Sequence, residues 1–205
     1  MMAPTAEQLN VSRETLERLK KFAELLIRWN PKINLVSKSS IQYLWQRHIA
    51  DSLQFLDLAP PSYEHWVDLG SGAGFPGLVV AMATESSRGP KKYTFVESDT
   101  RKAAFLRTVI RETGISASVS NDRIEILPPM QANVLSARAL TDLSGLLKFA
   151  ELHLDKKGTA LFAKGASWQK ELDDAQQKWN FTHEAITSKT EPSAVVLRIK
   201  GISRV

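Results

Sequence analysis

Val67-Asp68-Leu69-Gly70-Ser71-Gly72-Ala73-Gly74-Phe75-Pro76-Gly77 reads as a short buried strand that stops in a glycine-rich turn and re-enters a helix at Leu78. The turn needs glycine for two reasons: the backbone bends sharply, and it passes close to whatever lies above it, where a Cβ would intrude. Downstream, the pattern from residue 66 alternates strands and helices. Strands are expected at 66–69, 93–97, 117–120, 133–137, 158–164, 181–187 and 194–200, and helices at 77–85, 100–113, 141–152 and 167–179. Such alternation implies a parallel sheet covered on both faces, an α/β fold. The connection around Thr190-Glu191-Pro192 is too short for a helical crossover, so the last two strands form an antiparallel pair at one edge. Upstream of the turn lie helical patterns. One runs over 12–30, capped by Ser12 and stopped by Pro31. A second runs over 41–56, with Leu44, Trp45, His48, Ile49, Ser52 and Leu53 on one face. Residues 1–60 therefore read as a helical extension and 61–205 as one compact unit.

The bulk properties narrow the chemistry. With no cysteine among 205 residues, disulfides, thiolate metal sites and cysteine nucleophiles are excluded. The four histidines are scattered, so no metal site is arguable. No apolar run approaches the ~20 residues of a membrane span. The N-terminus has no signal-peptide core, so a cytoplasmic protein is expected. A net charge of +5 suits an anionic partner such as nucleic acid, and equally plain solubility.

The turn itself has competing readings. A tight connection without a ligand needs fewer glycines than Gly70, Gly72 and Gly74 at alternate positions. Gly72-x-Gly74-x-x-Gly77 matches the nicotinamide-dinucleotide fingerprint, and Glu97 follows 20 residues later. Yet Gly70 already follows the strand directly, and Asp68 at the strand end would repel a pyrophosphate. The same carboxylate suits the cationic amino-acid part of S-adenosylmethionine. Glu97, ending the second strand, can accept hydrogen bonds from both ribose hydroxyls. Ser98 or Asp99 caps the next helix, whose first turn carries Arg101 and Lys102 against the dipole. After the third strand, Ile124 can pack on an adenine ring and Glu125 can accept from its exocyclic amine; an ordinary acidic loop is the competing reading. Seven strands with a reversed terminal hairpin is the layout of S-adenosylmethionine-dependent methyltransferases.

The fourth strand runs into Ser136-Ala137-Arg138-Ala139, without the Asn/Asp-Pro-Pro-aromatic run of enzymes that methylate exocyclic amines. Leu127-Pro128-Pro129-Met130 lies before that strand and reads as a loop. Guanine N7 has an in-plane lone pair and no proton to lose, so its methylation asks mainly for in-line positioning. Arg138 suits that chemistry as a positioning group for phosphate, cofactor carboxylate or guanine O6; its competing role is a salt bridge to a helix carboxylate. Lys164, at the end of the fifth strand, is a candidate phosphate contact or a solvated lysine. Arg47, Asp51 and His48 project together from the second helix. Trp29 and Trp45 read as core anchors.

These motifs together resemble the glucose-inhibited division protein B family, the bacterial small-subunit rRNA guanine-N7 methyltransferases. The matching pieces are Trp29-Asn30 with Asn34-Leu35, Arg47-His48-Ile49-Ala50-Asp51-Ser52, the Asp68–Gly77 turn, Glu97-Ser98 with Lys102 and Phe105-Leu106, Arg123-Ile124-Glu125, Ser136-Ala137-Arg138-Ala139 and Lys164-Gly165. They occur in family order over about residues 25–165. The resemblance implies cofactor contacts at Gly70, Phe75, Ile124 with Glu125, and Arg138. Asp68, Gly72 and Glu97 join them from the reading of the turn. It also implies an enzyme acting on a guanine of the 530 loop in 16S rRNA. A monomer is expected, meeting RNA or the small ribosomal subunit across the rim formed by Arg138, Lys164 and the helix of Arg47. Asn133 and Ala163 depart from the family pattern, and residues 166–205 match only loosely. Two alternatives stand beside this reading: a nicotinamide-dependent oxidoreductase, and a non-catalytic RNA-binding module on the same scaffold.

Overall fold

A computed structural model describes residues 3–85 and 92–205. Seven strands form one sheet: β1 (His65–Leu69), β2 (Lys92–Val96), β3 (Ser118–Ser120), β4 (Ala132–Arg138), β5 (Leu154–Lys164), β6 (Trp179–Thr187) and β7 (Val195–Arg204). Their order is β3-β2-β1-β4-β5-β7-β6. β1 to β5 run parallel, and β7 enters antiparallel between β5 and β6. The helices are α1 (Ala6–Leu9), α2 (Arg13–Ile33), α3 (Lys38–Ile41), α4 (Asp51–Leu58), α5 (Gly77–Thr84), α6 (Thr100–Thr113), α7 (Leu143–His153) and α8 (Trp168–Gln176). From β1 the chain winds outward to β3, then returns to place β4 on the other side of β1. That reversal leaves a crevice beyond the C-terminal ends of β1 and β4, where ligands of open α/β sheets bind.

Side chains alternate between two cores, as the period of a strand demands. Trp66, Tyr93, Phe95, Val134 and Leu161 join one core with residues of α2, α4, α5 and α6. Val67, Leu69, Val96, Leu135, Ala137 and Phe162 join the other with residues of α7 and α8. The N-terminal helices share the first core: Phe22 of α2 packs against Phe75 and Phe105 with ring centroids 5.3 and 6.3 Å away. Trp29 leans on Phe105 at 5.7 Å.

Several helix boundaries differ from the sequence expectation: α8 ends at Gln176 rather than 179, where β6 already begins, and two others differ in character. Pro31 does not stop α2, which runs on to Ile33. Proline costs its own N–H but leaves its carbonyl and a helical φ in place. The Asn34 amide spans it to reach the Asn30 carbonyl at 3.0 Å, and left-handed Asn34 ends the helix. The second predicted helix is interrupted: α3 ends at Ile41, a π-helical turn covers Leu44–Ala50, and α4 follows without a break. The wide turn lies at the Arg47-His48 segment. Further along, β5 begins at Leu154 rather than 158, with a register shift opposite Ala132–Val134. Asn133, the departure at the start of β4, accepts from the Glu64 and His65 amides at 3.0 and 2.9 Å and so ties β4 to the entry of β1.

Candidate functional site

The glycine turn is held by the tips of its neighbours. Gly70, Gly72 and Gly74 have φ of +61°, +51° and +94°, a region closed to most side chains. The Ser71 amide donates to the Val96 carbonyl at 3.0 Å, which latches the turn to β2. A Cβ at Gly70 would lie 2.6 Å from Leu140 Cδ1, whereas one at Gly72 would meet nothing closer than 3.7 Å, so it would project into open space.

Glu97 organises the other wall. Its Oε2 accepts from the Gly72 amide and its Oε1 from the Asp99 amide, both at 2.8 Å. Each oxygen keeps a second lone pair for a ligand hydroxyl. Asp99, not Ser98, caps α6, accepting from the Arg101 and Lys102 amides at 2.8 and 3.3 Å. Arg101 folds back onto Asp99 at 3.1 Å, which offsets the dipole cost expected for a cation there. Lys102 has no ion-pair partner among the described residues.

Two hollows flank the turn. The first, of about 310 Å³, is lined by Gly70, Gly72, Glu97, Ile124, Glu125 and Leu140. The second, of about 390 Å³, is lined by Gly72, Phe75, His48, Lys102 and Arg138. Gly70, Gly72, Lys102 and Ala139 border both, so they form one groove along the turn. The Ile124 loop is carried by a residue that sequence reasoning passed over: fully buried His153, whose Nε2 contacts the Ile124 carbonyl at 3.0 Å. Asn121 also escaped notice; it donates to the Glu97 carbonyl at 2.8 Å. Neither has a local signal, because each bond spans more than twenty residues.

His48 stacks on Phe75 with centroids 5.0 Å apart, and its Nε2 is buried without a hydrogen-bond partner. Burial, reinforced by the charges of Arg138 and Arg47, lowers its pKa to about 4, so the ring is neutral at pH 7. Arg138 leaves β4 beside it. Its Nη2 donates to the Arg47 carbonyl at 2.9 Å, and its Nη1 pairs with Asp51 Oδ2 at 3.2 Å. The salt bridge to a helix carboxylate, the competing role for Arg138, is therefore present.

Two sequence expectations change. Asp68 does not line the groove. It is fully buried on the face of β1 covered by α5, where register places it beside Ser136. Trp66 Nε1 donates to Ser136 Oγ at 2.8 Å, and Ser136 donates onward to Asp68 at 2.5 Å. Burial pushes the carboxyl up to about 6 against the pull of Ser136. Asp68 thus lies beneath the turn, outside the lining of either hollow. Lys164 is no free phosphate contact either. It is buried, pairs with Glu171 at 2.5 Å and donates to the Thr141 carbonyl at 3.0 Å. Arg47 keeps an exposed side chain. Gly70, Gly72, Phe75, Glu97, Ile124, Glu125 and Arg138 do converge on the groove.

The groove suits a ligand with a nucleoside at one end and an amino acid at the other. The first end offers an aliphatic wall and paired acceptors; the second offers a guanidinium and a neutral imidazole. Residues 15–196 match the family described as rRNA small subunit methyltransferase G. The protein so named in Ruegeria pomeroyi is 58% identical over 100% of both chains. That of Paramagnetospirillum magneticum is 45% identical over 95% of this chain and 92% of its own. Among solved structures, a TehB-like SAM-dependent methyltransferase from Corynebacterium glutamicum superposes with a TM-score of 0.59 at 12% identity, covering 89% of this chain and 99% of that one. A SAM-dependent methyltransferase from Aquifex aeolicus gives 0.58 at 11% identity, covering 82% and 98%. At such identities these two structures speak for the fold alone.

Proposed function

Because this chain belongs to the rRNA small subunit methyltransferase G family, we propose that it methylates N7 of a guanine in the 530 loop of 16S rRNA, using S-adenosylmethionine. The observation that carries the reading is the continuous groove along Gly70–Gly72, with Glu97 at one wall and Arg138 at the other.

Each residue has a task in that reaction. Glu97 holds the ribose through its two remaining acceptor sites. Ile124 packs on the adenine, and Glu125 accepts from the exocyclic amine. The bare backbone of Gly72 lets the ligand lie close to the turn, while that of Gly70 makes room for Leu140. Arg138 and His48 face the amino-acid end, where the guanidinium meets the carboxylate. The bound cofactor supplies a methyl group on a positively charged sulfur. N7 brings its own lone pair, so the protein's part is alignment, which is worth several orders of magnitude in rate. The Asp51 and Arg47 contacts hold Arg138 still for that purpose.

Among the described residues no helix is long and apolar enough to cross a membrane. The protein acts as a cytoplasmic monomer on the small subunit or its RNA. The +5 charge favours the phosphate backbone, which makes binding fall steeply with salt. The test is methyl transfer from tritiated cofactor to small subunits from cells lacking the gene, followed by chain cleavage at N7-methylguanine. Label in the 530 loop with cleavage at one guanine is expected. Label confined to another nucleotide or to protein would refute the assignment.

A further inference from the structure

A third cleft, of about 310 Å³, opens on the far side of the β4 tip. Its volume falls at the lower end of the ~300–1,000 Å³ of small-ligand sites. Ala139 borders this cleft and both hollows of the groove. Its φ of +52° is a conformation that non-glycine residues adopt only under constraint. An atom seated in the cleft against Ala139 is therefore next to the groove.

The opposite wall is the loop between β6 and β7, and it is clamped. Asp51 Oδ1 accepts from Ser188 Oγ, Thr190 Oγ1 and Gln54 Nε2, each at 2.8 Å. Gln54 in turn accepts from the Lys189 amide at 3.2 Å. The same carboxylate that holds Arg138 thus fixes the loop across from it. Within the cleft, Arg138 is neutralised by Asp51 and Lys164 by Glu171. Arg47 and Glu191 line the cleft without an ion pair among the described residues. Glu191 Oε1 is engaged by Ser193, while Oε2 takes part in no hydrogen bond among the described residues.

We infer that this cleft receives the target base and that Glu191, presented by the clamped loop, selects guanine by accepting from its N1–H and exocyclic amine. The inference rests on the methyltransferase reading above. Guanine carries acceptors O6 and N7 on one edge and donors on the other. With the donors on Glu191, the N7 edge faces Ala139 and the groove. The N7 lone pair then forms the new N–CH3 bond as the CH3–S bond breaks, its electrons leaving with sulfur. The positive charge passes to the base, and no proton moves. Adenine would set its N1 lone pair against the carboxylate and be rejected.

Glu191→Gln tests this, because the amide keeps one acceptor but opposes a donor to the exocyclic amine. Small subunits are reconstituted with guanine or inosine at the methylated position; inosine retains N7 and lacks only that amine. The wild type is expected to favour guanine about tenfold or more in kcat/KM, the loss of one hydrogen bond to a charged group. For Glu191→Gln the ratio falls to near one. S-adenosylhomocysteine affinity, read by calorimetry, stays at the wild-type value. An unchanged guanine-to-inosine ratio in the variant would overturn the inference, as would a wild type indifferent to inosine. A wild type that methylates neither substrate would instead refute the underlying activity.

Discussion

Gly72 and Gly77 lie in the same turn, yet the structure assigns opposite consequences to adding one methyl at each. At Gly72 the φ of +51° costs an L-residue about 1–2 kcal/mol, partly offset by the ~0.4–1 kcal/mol that alanine saves in unfolded-chain entropy. The new Cβ would stand 3.7 Å from the Gly70 carbonyl oxygen and 3.9 Å from Glu97 Oε2, so it meets no protein clash and fills groove instead. At Gly77 the Cβ would sit 2.6 Å from Phe95 Cε1 and 2.8 Å from Asp68 Oδ2, both in fully buried side chains. Overpacking of that kind costs about 1–3 kcal/mol. Thermal melts should therefore show Gly72→Ala within a few degrees of wild type. Gly77→Ala should fall further, by about 2–4 °C for each kcal/mol lost in a chain this long. Calorimetry with S-adenosylhomocysteine should show the reverse order: roughly tenfold or more weaker binding for Gly72→Ala, a loss of about 1.4 kcal/mol, and near-native affinity for folded Gly77→Ala. Wild-type affinity in Gly72→Ala would refute the placement of the ligand over this turn.

Arg138→Ala should cut turnover at least tenfold while the protein stays folded. If Asp51 serves the reaction through Arg138, Asp51→Asn adds little further loss in the double variant, and kinetic losses that multiply would contradict that coupling. Asp68, raised from 3.8 to about 6, is protonated in both states below about pH 4. Between pH 4 and 6 the unfolded chain ionises first, so this group lowers stability as pH rises, by about 3 kcal/mol in total, with no further change above pH 6. Urea midpoints of Asp68→Asn should gain on wild type between pH 4 and 7, and a gap independent of pH would exclude a raised pKa. His48 should remain neutral at pH 5.5 in nitrogen-detected NMR, titrating only near pH 4; a charged ring at pH 5.5 would contradict its burial beside Arg138.

Local pattern was enough to read the strand–turn–helix units, because period-2 and period-3.6 burial is written in neighbouring residues. The short link around Glu191 sufficed for the reversed edge pair, and the alternating glycines for the ligand turn. Gly72 and Glu97 were each legible as site residues, but the hydrogen bond between them was not, since it joins a turn three residues beyond β1 to the residue that follows β2. The two assignments that changed, and the choice between the roles open to Arg138, had the same cause. Which way Asp68 points depends on which face of β1 receives α5. Whether Lys164 is free depends on Glu171 arriving from α8. The hold on Arg138 comes from Asp51, 87 positions earlier (138 − 51), which also reaches Ser188 and Thr190 on the last loop. Residue type and spacing along the chain determined which groups carry charge and where the backbone bends. Only the packed molecule decided which charges neutralise one another, since a buried ion must be paired by whatever the fold brings alongside it, however distant in sequence.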